Sequence, residues 1–217
     1  MSSCCLHNRD TGRFFGWFAR RYRRRFDKRG FEKSQTQLVY GITQNGIRDA
    51  TLLEIGCGVG YLHQRLLQDG AQSAVGVDLS EPMLTQARGA AAENGLADRT
   101  QYLEGDFVNL ADRVEPADIV VLDKVICCYP DAHSLVERST GKAQRIYAFT
   151  IPRPRWFIRL MMECGTALLQ MIRCGFRGYV HDPEMIDTWL LASGFERAYE
   201  NHTFVWLTRV YRRRATN

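Results

Sequence analysis

The chain has 217 residues, 45% hydrophobic and 24% charged, with 18 Gly and 6 Pro; such proportions exclude a disordered, collagen-like or disulfide-scaffold protein and fit one globular domain. The formal net charge of +5 is uneven: residues 1–33 carry ten Lys or Arg against three Asp or Glu, residues 34–208 fifteen against twenty-one, and residues 209–217 four Arg. Positive charge confined to the two ends argues against a nucleic-acid footprint across the whole surface.

Cys4 to Asp10 is polar where the apolar core of a signal peptide would begin, so a cytoplasmic protein is expected. The seven cysteines include the adjacent pairs Cys4-Cys5 and Cys127-Cys128 and read as reduced thiols there. Residues 13–33 read as a basic amphipathic helix ending near Gly30, with Phe14, Phe18, Tyr22 and Phe26 on one face and Arg20, Arg21, Arg23, Arg24 and Arg25 around the rest. A second helix follows over Ser34–Asn45, closed by Gly46.

From Ala50 strands and helices alternate. Strands are expected at Thr51–Ile55, Ala74–Val77, Thr100–Glu104, Ile119–Leu122 and Arg145–Ile151, with helices at Tyr61–Gln68, Glu81–Asn94 and Asp131–Thr140. That order implies a mostly parallel sheet with right-handed crossovers. Trp156–Arg173 reads as a mixed apolar and charged helix, too interrupted by Arg159 and Glu163 to span a membrane. Pro183–Ser193 is a further helix, and Glu196–Asn201 and Phe204–Tyr211 should close the fold as an antiparallel hairpin.

The most informative stretch is Leu53-Glu54-Ile55-Gly56-Cys57-Gly58-Val59-Gly60-Tyr61. A Gly-rich turn between strand and helix lets backbone approach a ligand and points helix N–H groups at it. Its G-x-G-x-G spacing differs from the G-x-G-x-x-G of pyrophosphate-binding dinucleotide folds. Asp78 ends the second strand, where a carboxylate can accept from two ribose hydroxyls. Gly105-Asp106-Phe107 ends the third, where a carboxylate could accept from an adenine amino group beside a packed ring.

Glu54, Gly56, Gly58, Gly60, Asp78, Asp106 and Asp123-Lys124 together resemble the class I S-adenosylmethionine-dependent methyltransferases over about residues 50–150. The resemblance implies an α/β, three-layer Rossmann-like methyltransferase sheet, mostly parallel with an antiparallel last strand. Helical cover is expected as an N-terminal basic lid over 1–45 and as an insertion at 156–193 of the 46–217 domain. It implies S-adenosylmethionine as cofactor, with Gly56, Gly58 and Gly60 cradling its methionine portion and Asp78 its ribose. Leu79 and Met83 would flank the adenine, with Asp106 and Phe107 at its edge; Glu54, Tyr61 and Asp123 complete the expected site.

After the fourth strand comes Asp123-Lys124-Val125-Ile126-Cys127-Cys128-Tyr129-Pro130-Asp131, without the D/N-P-P-Y/F run of many amino-group methyltransferases. Around Cys128-Tyr129-Pro130, with Arg25 to Glu32 and Tyr40-Gly41 upstream, the chain is similar to the magnesium-protoporphyrin O-methyltransferase branch, which carries a histidine where Cys128 stands. The expected reaction is methyl transfer, most plausibly at oxygen, to a small, hydrophobic and anionic molecule. The alternative is a non-catalytic scaffold or sensor that binds the cofactor or a metal. Tyr129 and His133 are the candidate catalytic residues, with His181 a further proton handler. Cys4-Cys5-Leu6-His7 with Cys127 or Cys128 offers soft metal ligands, but no metal is assigned. The basic helix is expected as a lid, with contact to an anionic membrane surface as its other reading; nucleic acid is not expected as a partner.

Overall fold

The computed structural model describes residues 3–171 and 176–215, with side chains from Thr11 onward. Helices α1 (Ser3–Arg29) and α2 (Lys33–Gln44) lead into β1 (Thr51–Ile55), α3 (Tyr61–Gln68), β2 (Ser73–Asp78), α4 (Glu81–Glu93) and β3 (Thr100–Glu104). A short α5 (Phe107–Leu110), β4 (Ala117–Asp123), α6 (Ala132–Thr140) and β5 (Ala143–Pro152) follow. The chain ends with α7 (Trp156–Met171), α8 (Pro183–Ala192), β6 (Phe195–His202) and β7 (Trp206–Arg213).

The seven strands make one sheet in the order β3-β2-β1-β4-β5-β7-β6. All neighbours from β3 to β5 run parallel, while β7 is antiparallel to both β5 and β6. The expected hairpin therefore inserts its second strand into the sheet and leaves β6 at the border. Strand order reverses between β1 and its neighbours β2 and β4, which opens a crevice at their carboxyl ends.

Alternation along the strands builds two apolar layers. Leu53, Val120 and Leu122 face α5, α6 and α8 through Phe107, Leu135, Val136, Ile186 and Leu190. Leu52, Ile119 and Val121 face α2, α3 and α4 through Leu38, Ile42, Leu62, Leu66 and Ala91. Leu38 and Ile42 are fully buried in that layer, so α2 packs in the body of the domain and reaches the strand ends only through its first turn, where Gln35 bonds Asp123.

The last third is tied by charge. Arg209 of β7, 4% exposed, donates to Glu200 (2.7 Å), to the Pro183 carbonyl (2.9 Å) and to Glu184 (2.6 Å). Beside it the Tyr211 hydroxyl donates to Asp187 at 2.6 Å. This network fastens the start of α8 to the reversed hairpin.

Two expectations need correction. The first helix begins at Ser3, not near residue 13. The aromatic stripe turns only its C-terminal half inward: Tyr22 and Phe26 line the crevice, with Thr11, Gly12 and Phe15 ahead of them. Phe14 instead stacks on Phe176 at 4.9 Å, because Gly12 and Gly16 set which side of the helix can approach the body.

Candidate active site

Between β1 and α3 the chain turns through Gly56, Gly58 and Gly60 with φ of 66°, 53° and 77°. These left-handed conformations favour glycine. A Cβ on Gly56 would stand 2.4 Å from Val125 Cγ2, whereas one on Gly58 would meet nothing within 4 Å. Gly56 thus serves close packing, and Gly58 leaves space on the cavity side.

Glu54 lines the cavity but commits its carboxylate to His63. It accepts the His63 backbone N–H at 3.1 Å and pairs with Nδ1 at 2.6 Å. His63 Nε2 lies 3.0 Å from the Tyr102 hydroxyl. Burial holds the Glu54 carboxyl above its ordinary pKa, so the pair buttresses the glycine turn from behind.

Asp78, at the end of β2, accepts the Gly58 N–H at 2.8 Å and the Ser80 N–H at 2.9 Å, one on each oxygen. Each oxygen keeps a further lone pair. Burial raises its pKa to about 6, against the lowering pull of those backbone donors. Leu79 and Met83 continue the lining, Met83 packing with Ala19 and Val59.

Helix α1 sits directly on this rim. A Cβ on Gly12 would lie 2.6 Å from the Leu79 carbonyl, and one on Gly16 would lie 2.9 Å from Ser80 Oγ. Arg23 pairs with Glu93, the Tyr61 hydroxyl donates to Asp27 at 2.8 Å, and Phe26 stacks on Tyr61 at 3.6 Å.

At the end of β3, Asp106 caps α5 by accepting the Val108 N–H at 3.0 Å. Its two oxygens also take the Tyr129 hydroxyl, at 3.1 and 3.0 Å. Phe107 is buried and lines the cavity. Tyr129 therefore stands on the Asp106 side of the crevice. His181 Nε2 bonds the Tyr129 carbonyl at 3.0 Å, and burial lowers its pKa, favouring the neutral ring. His133 is not brought to the site: near the start of α6 its side chain is 57% exposed and meets Trp189 edge-on.

The opposite end of the cavity joins the expected Asp123 to groups to which the sequence assigned no role. Asp123 accepts from Gln35 Nε2 at 2.9 Å, and its other oxygen, Oδ1, is buried without a hydrogen-bond partner. Lys124 adopts φ 61°, donates to Glu32 at 2.7 Å and lies 5.0 Å from the Trp206 ring centre. Burial works against its charge, but Asp123 and Glu32 outweigh it and raise the ammonium pKa. Tyr22 stands nearby, its phenol pKa raised chiefly by burial. Tyr22 belonged to the expected aromatic stripe and Lys124 to the noted segment after β4. Gln35 and Trp206 carried no local signal, since only the fold brings them here.

Cys127 and Cys128 lie with sulfurs 3.9 Å apart, and Cys57, Cys127 and Cys164 are free thiols. Among the described residues no group of three His, Cys, Asp or Glu is placed to hold a metal ion. The side chains of Cys4, Cys5 and His7, and residue Cys174, lie outside the described residues. The cavity has a volume of about 400 Å³, within the usual range for a small-molecule site.

Residues 52–140 match the family model described as Methyltransferase domain. The ribosomal protein L11 methyltransferase of Pasteurella multocida is 42% identical over 74 residues, 34% of this chain and 22% of that protein. The ubiquinone biosynthesis O-methyltransferase of Actinobacillus pleuropneumoniae is 32% identical over 96 residues, 43% of this chain and 41% of that protein. The chain thus spans about a fifth of the length of the first curated relatives it matches. Among solved structures, magnesium protoporphyrin IX methyltransferase from Synechocystis PCC 6803 with bound SAH shares the fold. Its TM-score is 0.68 at 22% identity, over 89% of this chain and 93% of that one.

Proposed function

We propose that this chain is a class I S-adenosylmethionine-dependent methyltransferase, a reading supported by the family match over residues 52–140 and by the shared fold, and that it moves the donor's methyl group to an oxygen of a small, apolar, anionic acceptor. One observation carries the reading. A single cavity joins the glycine turn, Asp78 and Asp106 to an apolar chamber of Phe15, Tyr22, Phe26, Met162 and Trp206.

The residues fit the donor. Gly58 leaves open space for its methionine portion, Asp78 has lone pairs for two ribose hydroxyls, and the buried Oδ1 of Asp123 suits an ammonium group. Leu79, Met83 and Phe107 would enclose the purine. We assign Tyr129, with Asp106, to positioning that ring's edge. The donor supplies a sulfonium methyl that is already electrophilic, so the chain's task is alignment and exclusion of water.

At the acceptor end Lys124 offers the positive charge and Trp206 the flat apolar surface. A carboxylate acceptor is ionised at neutral pH and needs no base; a phenol would use one. Two similar proteins support acceptors of this kind by name, the ubiquinone biosynthesis O-methyltransferase and the magnesium protoporphyrin IX methyltransferase. A non-catalytic binding protein would be favoured by a blocked chamber, but α7 contributes only Met162 to the lining and leaves it open.

Calorimetric titration with S-adenosylhomocysteine tests the donor assignment. Wild type should bind in the micromolar range and Asp78→Ala should bind about thirtyfold more weakly, the loss of hydrogen bonds to a charged group. Equal affinity in the two would sink the assignment. Mass spectrometry of metabolites methylated by the wild type, but not by Asp78→Ala, then identifies the acceptor.

The Asp78 carboxyl, at about 6, also sets a pH dependence. Ribose hydroxyls donate to the carboxylate form, so protonation competes with the donor. Lowering the pH from about 7 to about 5 should weaken S-adenosylhomocysteine by about tenfold. The same titrations on Asp78→Asn should show little of that slope.

A further inference from the structure

We propose that α7 is a membrane-docking element that seats the mouth of the cavity on an anionic lipid surface. The helix divides into three sectors. Ile158 is buried and Met162 lines the cavity. Arg159, Glu163 and Gln170 form a narrow polar strip. The remaining face, roughly 140° of arc at 3.6 residues per turn, is apolar and lies in solvent. Trp156 is 76% exposed and Met171 81%, with Leu160, Met161 and Leu168 exposed between them.

An apolar arc of this width normally faces a core. A continuous exposed patch marks an interaction surface. Phe157 extends it by stacking on Phe204 of the β6–β7 turn at 5.1 Å, and Phe204 is itself exposed.

Charge identifies the occupant. Among the described residues, arginines bracket the apolar run: Arg153, Arg155 and Arg159 at its start and the exposed Arg177 beyond its end, against the single Glu163. Helix α1 lies alongside through Phe14 and Phe15, which both pack on Phe176. It adds the exposed Arg13, Arg20, Arg21 and Arg24, whereas residues 34–208 as a whole are net acidic. An apolar face rimmed by arginine on an otherwise acidic body matches the anionic interface of a bilayer, with the rings and aliphatic chains below the headgroups and the guanidinium groups among them. No described helix is long and apolar enough to cross a membrane, so α7 would lie in the surface plane. Phe14 of α1 is occupied by packing on Phe176, but Trp17, 84% exposed, leaves α1 able to share this contact. The cavity is lined by α1 and by Met162, Phe176 and Gly178, so docking through α7 would hold the chamber close to the lipid.

Sedimentation of the full chain with lipid vesicles tests this without any turnover. Phosphatidylcholine vesicles containing about a third phosphatidylglycerol should pellet the protein, and pure phosphatidylcholine should not. Added salt should weaken the binding without abolishing it, because the apolar part is insensitive to screening. The double variant Leu160→Glu, Leu168→Glu should lose at least about tenfold in vesicle affinity, with unchanged S-adenosylhomocysteine affinity showing that the fold persists. The proposal is overturned by wild type that ignores anionic vesicles, or by a double variant that pellets as well as wild type. It is equally overturned if wild type forms a dimer that Leu160→Glu dissociates while vesicles bind neither, since a second copy would then cover the face.

Discussion

Arg209→Met should destabilise the protein by about 3 kcal/mol, the lower end of what breaking a buried ion pair costs. The guanidinium serves Glu184, Glu200 and the Pro183 carbonyl at once. Glu184 and Glu200 are exposed enough to return to water. The buried Pro183 carbonyl is not, and Asp187, whose side chain is 15% exposed, would lose one of its cations while keeping the Tyr211 hydroxyl. The loss is therefore dominated by groups left unsatisfied, not by the exposed pairs. Arg209→Lys should recover only part of the stability, because an ammonium lacks the planar fork that reaches three acceptors. Urea unfolding checks this: the midpoint should fall with an unchanged slope. A midpoint shifted by less than a few tenths of a kcal/mol would show that the network is dispensable.

Gly56→Ala should be almost as costly, about 3 kcal/mol, and should also weaken S-adenosylhomocysteine at least about tenfold. Holding alanine at positive φ costs roughly 1–2 kcal/mol, and the new methyl collides with Val125, adding an overpacking cost of about 1–3 kcal/mol. Relief of that collision must displace the turn, and the Gly56 N–H is anchored to the Val77 carbonyl at 2.7 Å. Gly58→Ala is the control: its backbone is equally left-handed, yet its Cβ meets nothing, so its stability loss should be about 1 kcal/mol. Unfolding and titration of the two variants side by side separate the effects. Equal destabilisation would remove the close-packing role given to Gly56.

The alternation of β1, α3, β2, α4 and β3 was legible because glycines punctuate it: Gly56 follows β1, Gly70 follows α3, Gly95 follows α4 and Gly105 follows β3. Thr51–Ile55, Tyr61–Gln68 and Thr100–Glu104 have the boundaries the sequence suggests. The donor end was legible for the same reason: a glycine turn and carboxylates at successive strand ends are local features that one sheet edge brings together. The acceptor end was not. Lys124, Gln35 and Trp206 meet only because α2 and β7 both pack on β5, and no spacing along the chain encodes that meeting. Tyr129 and His133 looked alike as polar residues after β4, yet α6 begins between them and turns His133 outward. The docking face of α1 was half legible: Tyr22 and Phe26 of the aromatic recurrence line the crevice, while the close approach at Gly12 and Gly16 carried no signal of its own. Arg209 read as part of a basic tail, whereas the strand that holds it is sandwiched inside the sheet.

Placing β7 inside the sheet leaves β6 as one of its two borders. A border strand has unsatisfied backbone groups along one side and invites templated growth by an incoming chain. Here that strand carries Glu196, Arg197 and Glu200 in close succession, each already engaged: Glu196 with Arg212, Arg197 with Glu200, and Glu200 with Arg209. A docking strand would have to strip water from these ions or break the pairs. The same insertion that puts Trp206 at the acceptor chamber therefore also guards the molecule against fibrillar self-association.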